Sequence, residues 1–212
     1  MNAIDPDGRK IVLSRMSKNQ QKIFLEQINI QASNSNLFAT LYSELNASQD
    51  IYYINYNDLT NKDGQFELNE NGGGYITFNN KSLAIKGSVL SEELFHAYQH
   101  DNRNNYNTGN FNREFEAKTF MTFVGLQTGG FGHLASMSEF QNKIEKYEYG
   151  DDMNPITSQM IYSKPFLEDY MKYANKFSDF NNNKNIGNKH YKTPTEVNPY
   201  SLQQIIKKTY SK

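Results

Sequence analysis

Val89-Leu90-Ser91-Glu92-Glu93-Leu94-Phe95-His96-Ala97-Tyr98-Gln99 is the stretch on which the reading of the whole chain turns. Val89, Leu90, Leu94 and Ala97 recur at helical spacing, with Phe95 and Tyr98 beside them, so an amphipathic helix is predicted. Ser88 is the expected N-cap, and Gly87 marks the break before it. Glu92 and His96 are four residues apart. On a helix this places them on one face with Cβ atoms within about 6 Å, close enough for both to bind one metal ion. Glu93 lies next to the first of them.

Composition narrows what surrounds this helix. A chain of 212 residues suffices for one domain with a proper core. The 15 Tyr and 14 Phe supply that core despite a polar average. The absence of Cys excludes disulfides, a thiolate zinc site, a Cys nucleophile and the zinc deaminase pattern. A net charge of −1 gives no global basic field for a nucleic-acid backbone, so nucleic acid is not the expected partner. No apolar run reaches the length of a membrane span. Asp5 and Asp7 stand where a signal peptide would need a basic and then an apolar region, so none is expected.

The flanking sequence alternates in period. Ser17-Lys18-Asn19-Gln20 is a capping box opening a helix to about Ile30, with Ile23, Phe24, Gln27 and Ile28 along one side. A second helix is predicted from Ser35 to Leu45. Residues 51–79 then turn β-rich, in the runs Ile51–Tyr56, Gln65–Leu68 and Tyr75–Phe78. Asp63-Gly64 and Asn71-Gly72-Gly73-Gly74 are the turns between them, so a small antiparallel sheet is expected. After the opening stretch come a loop over 101–112, a helix to about Leu126 and a Gly-rich break over 127–133. Further helices are predicted near 136–148 and 165–177. Residues 179–199 read as loop, and Ser201 as the cap of a last short helix.

The run Glu92-Glu93-Leu94-Phe95-His96-Ala97-Tyr98-Gln99 resembles the His-Glu-x-x-His helix of zincin-type metallopeptidases. In that family two His hold zinc, the Glu between them is the general base, and a small residue follows the second His. Here Glu92 stands in the place of the first His. The resemblance implies an α+β, zincin-like domain with a small antiparallel sheet and several packed helices. It also implies a strand before the metal helix that pairs with an extended substrate along a cleft, here Tyr75 to Asn79. The third ligand in the glutamate-type zincins is a Glu about 20 residues further on, often in a Glu-x-x-Ala-Asp setting. Arg113-Glu114-Phe115-Glu116-Ala117-Lys118 is similar, with Lys118 where Asp would be, and spacing from His96 permits Glu114 or Glu116. Two residues apart point about 200° apart on a helix, so only one can face His96. Glu114 is preferred because it shares a face with Ala117 and Met121.

The implied set is Glu92, His96 and Glu114 as metal ligands, with Glu93 as general base; His133, after the Gly-rich break, is a further catalytic candidate as hydrogen-bond donor to an oxyanion, against the plainer reading of a solvated loop residue. One imidazole with two carboxylates binds zinc less tightly than a two-His site and also suits manganese or iron. Its two negative charges lower the Lewis acidity of the metal, so slow hydrolysis, or binding of a target without catalysis, are both open. His100 and His190 are expected at the surface.

Asn2-Ala3-Ile4-Asp5-Pro6-Asp7-Gly8-Arg9 resembles the end of the core of Rhs/YD-repeat proteins, where an Asp-Pro-x-Gly segment joins a variable C-terminal domain. This resemblance implies a junction over 1–16 and an effector domain over 17–212. It implies export within a larger protein, toxicity in a target cell and a cognate immunity protein. Without it the chain would be placed in the cytoplasm. The leading expectation is a metal-dependent peptidase toxin acting on a protein or peptide. The alternatives are a degenerate zincin-like binding domain and a toxin of another class, such as a nuclease.

Overall fold

The computed structural model describes residues 10–70, 72–81, 85–102, 109–130, 137–148, 158–183 and 197–210. The chain forms two compact units, Met1–Arg103 and Asn104–Lys212. The Rhs-like string 2–9 lies outside the described residues, as do His133 and His190.

The first unit opens with a short strand, β1 (Ile11–Val12), and two helices, α1 (Lys18–Asn34) and α2 (Asn36–Ala47). The capping box forms as the sequence predicts: Gln20 N–H donates to Ser17 Oγ and Ser17 N–H to Gln20 Oε1, at 3.3 and 2.8 Å. Ser35 ends α1 and caps α2 through Phe38 N–H. Three strands follow, β2 (Tyr52–Asn57), β3 (Gly64–Leu68) and β4 (Gly74–Asn79), and then α3 (Gly87–Asp101). Val89 to Gln99 therefore is helical, but α3 starts two residues earlier, with Lys86 at the N-cap and no side-chain cap. Ser88 lies inside the first turn instead of capping it.

The sheet is mixed, not antiparallel. Its order is β1-β2-β4-β3, with β1 and β4 parallel to β2 and only β3 antiparallel, to β4. Burial explains the order. β4 is buried at Gly74, Ile76, Thr77 and Phe78, as an interior strand with neighbours on both sides must be. β3 offers polar Gln65 and Glu67 and ends exposed, which suits an edge. β4 is thus interior, and the edges are β1 and β3, not Tyr75 to Asn79. Gly73 is fixed by its φ of +72° and by the Ile51 carbonyl, which occupies the space of any Cβ there.

Tyr52, Ile54, Phe66, Ile76 and Phe78 share one sheet face by register. Phe24 of α1 meets Phe78 on that face at 6.2 Å between ring centroids, and α3 packs on β3 and β4. Leu90 and Leu94 of α3 are fully buried. Each such side chain contributes about 1.5–3 kcal/mol, so the packing of α3, not a cap, holds it in place. On the other face Tyr53 and Tyr75 stack, with the Arg15 guanidinium over both rings at 4.7 and 4.9 Å.

The second unit is helical: α4 (Gly109–Thr128), α5 (Ser138–Glu148), the single turn α6 (Ser158–Ile161), α7 (Lys164–Asn183) and α8 (Tyr200–Tyr210). α4 stops at two glycines of positive φ, Gly129 and Gly130, where the Gly-rich break is predicted. α7 runs to Asn183, through residues 179–183 that read as loop. Its core is an aromatic cluster. Phe115 of α4 lies 5.2 Å from Phe140, 4.9 Å from Tyr170 and 5.6 Å from Phe177. α8 begins at Tyr200, so Ser201 is a buried helical residue and not its cap. Among the described residues no helix is long and apolar enough to cross a membrane.

Candidate functional site

α3 carries the candidate site residues of the first unit. Glu92 and His96 occupy one half-buried face, one turn apart, and Glu93 is buried beside them at 8% exposure. Glu93 lies under the edge strand: a Cβ on Gly64 of β3 would fall 2.8 Å from Glu93 Cγ and 2.7 Å from Val89 Cγ1. Only a residue without a side chain allows β3 to approach α3 this closely. Below the start of β3 is a recess lined by Phe78, Ile85 and Val89, with the Asp63–Lys86 ion pair, 2.9 Å long, at its rim.

The imidazole of His96 is oriented from its own helix. Nδ1 lies 2.9 Å from Oε1 of Gln99, one turn on, and Gln99 is buried to 1% exposure. This partner carries no sequence signal, because a Gln three residues after a His is ordinary in a helix.

His100 is half-buried and not the fully solvated side chain the sequence suggests. Its side chain is 14% exposed, with Nδ1 3.3 Å from the Tyr52 hydroxyl and 3.8 Å from an Asp50 carboxylate oxygen. The next residue, Asp101, accepts from the Ser48 and Tyr52 hydroxyls. Burial, with Asp101 and Asp50 close by, pushes the Tyr52 phenol far up and keeps it neutral. These contacts pin the C-terminal turn of α3 to β2 and to the loop before it.

The second unit separates the two candidate third ligands. Glu116 is fully buried, and its Oε1 accepts the Leu202 N–H at 2.8 Å. It therefore takes the capping task at α8 that the sequence gives to Ser201. A carboxylate there meets the positive end of the helix dipole. Burial first, and Glu116 second, raise the phenol of fully buried Tyr170 well above its usual value. Asn112 ties the same region together, donating to the Asn198 carbonyl at 2.9 Å. Glu114, two residues from Glu116 and so on another side of α4, is half-buried.

Glu92, His96 and Glu114 each offer one oxygen or ring nitrogen of the kind a divalent cation takes, and each is half-buried. As a donor set, one imidazole and two carboxylates fit zinc, manganese or iron(II). Comparison with family models, curated proteins and solved structures gives no match.

Proposed function

We propose that this chain is a metal-dependent hydrolase of the peptidase type, with Glu92, His96 and Glu114 as metal ligands and Glu93 as general base. The observation that carries the reading is the arrangement on α3: a carboxylate and an imidazole on one half-buried face, and a buried carboxylate next to them at the edge of the sheet. The role of Glu116 as the cap of α8 favours Glu114 as the third ligand.

When bound, a divalent metal acidifies water and polarises a carbonyl oxygen. The rest belongs to the chain. Among the described residues β3 pairs with β4 alone, and its outer edge would receive an extended peptide. Glu93, beside Gly64 at the start of that edge, accepts a proton from the attacking water and returns it to the leaving amine. The recess lined by Phe78, Ile85 and Val89 is of a size to take one small apolar side chain.

Glu92 in place of a second imidazole favours one other reading, a zincin-like domain that binds its target without cutting it. Two anionic ligands reduce the charge available to polarise a carbonyl. The string Asn2 to Arg9 supports delivery as the effector of an Rhs-like exported protein, with an immunity protein as partner. The deciding experiment is cleavage of a mixed peptide library by protein loaded with Zn²⁺, Mn²⁺ or Fe²⁺. The peptidase reading expects products from the wild type and none from Glu93→Gln. Metal bound by both proteins with no products from either leaves the binding reading in its place.

A further inference from the structure

We propose that Gln99 is a positioning residue: its side-chain oxygen accepts from His96 Nδ1–H and fixes the ring so that Nε2 is the nitrogen a metal would take. The functional consequence rests on the metal reading above, whereas the tautomer does not.

The argument starts from the 2.9 Å contact between His96 Nδ1 and Gln99 Oε1. An amide oxygen can only accept, so the contact is a hydrogen bond only if Nδ1 carries the proton. With the proton held on Nδ1, Nε2 is the ring nitrogen at which a metal would displace any second proton. Gln99 is 1% exposed, so its amide is held by packing. Burying an amide without hydrogen bonds is unfavourable, and Met or Leu would fill similar space at no such cost. The amide therefore has a polar task at this place, and the His96 ring is a partner within reach.

The choice of an amide also follows from charge. Ligating His residues commonly donate their second N–H to a carboxylate, a backbone carbonyl or water. Here Glu92, Glu93 and Glu114 already bring three acidic groups to the proposed site. A carboxylate at position 99 would orient the ring equally well but would lower the electrophilicity of the metal further. Gln99 orients the ring without adding charge.

Long-range ¹H–¹⁵N NMR of histidine-labelled, metal-free protein reads the tautomer directly, with a His96→Gln sample to assign the signal. The wild type should show His96 protonated at Nδ1. Gln99→Met should release the ring toward the Nε2–H form that free imidazole side chains prefer, and Gln99→Glu, which keeps an acceptor, should restore Nδ1–H. In a Zn²⁺ competition titration Gln99→Met should bind about 10–100-fold more weakly, the usual effect of losing such a partner, and Gln99→Glu should recover most of the loss. The wild-type spectrum decides without either Gln99 variant: His96 with Nδ1 unprotonated overturns the assignment. So does a tautomer that Gln99→Met leaves unchanged. The expected tautomers without zinc binding by the wild type overturn the metal reading, while the Gln99–His96 assignment stands.

Discussion

At the scale of single residues, neighbours on one helix carry unlike tasks because a step of one or two positions turns the side chain to another environment. Glu92 and Glu93 are adjacent, yet one is half-buried and the other lies under β3. Glu114 and Glu116 are two apart, and only Glu116 is fully buried, at the end of α8. Replacement therefore should separate them. Glu116→Ala strands the buried Leu202 N–H and should destabilise the protein by about 1–3 kcal/mol, without lowering metal content; denaturant unfolding and elemental analysis check the two halves. His96→Ala should abolish metal binding. Metal at a hundredfold excess over Kd stabilises the folded state by about 2.7 kcal/mol, so the rise in Tm on adding Zn²⁺ should be several degrees in the wild type and absent in the variant. Glu92→His restores the two-His frame and should raise zinc affinity in the same titration; an unchanged affinity would show that Glu92 is not a ligand.

At the scale of elements, the placement of β3 on α3 sets the position of the proposed base. Gly64→Ala forces a methyl group against Val89 and Glu93. Overpacking of this kind costs about 1–3 kcal/mol, and it should depress peptide cleavage by more than the stability loss explains, because Glu93 must move. Thermal melts set beside turnover at a temperature where both proteins are fully folded test this. Elsewhere the elements rest on local chemistry. Ser17→Ala removes one half of the capping box and should cost about 1 kcal/mol with metal binding intact, read by chemical denaturation and the same zinc titration.

At the scale of the whole molecule, the proposed activity predicts toxicity that depends on one carboxylate. Production of the chain in a bacterial cytoplasm or periplasm should slow growth in one compartment, and Glu93→Gln should relieve it at equal expression and equal metal content. Loss of a general base typically lowers a rate 10²–10⁴-fold. A domain that acts by binding alone would retain its toxicity, since an isosteric change at a residue 8% exposed leaves the outer surface unaltered. Growth arrest by Glu93→Gln equal to that of wild type would therefore sink the peptidase mechanism.

The sequence by itself determined the elements whose signals are local. The Ser17–Gln20 capping box, the apolar spacing of α3 and the glycines ending α4 act within a few residues, where the chain has little choice. The juxtaposition of Glu92 and His96 was legible for the same reason, since four positions on a helix fix a face. Tertiary structure decided what depends on partners distant in the chain. The insertion of β4 between β2 and β3 follows from which strand buries both faces, and turn signals are silent on that. Lys86 in place of Ser88 at the start of α3 reflects packing of the helix on the sheet, which outweighs the roughly 1 kcal/mol of a cap. Glu116 caps α8 from 86 residues away. His100 is drawn in by Tyr52 and Asp50, and Gln99 reaches His96 from a position with no signal of its own. For Glu116, His100 and Gln99 the deciding term is the desolvation of a polar group, and only the folded chain fixes which partner compensates it.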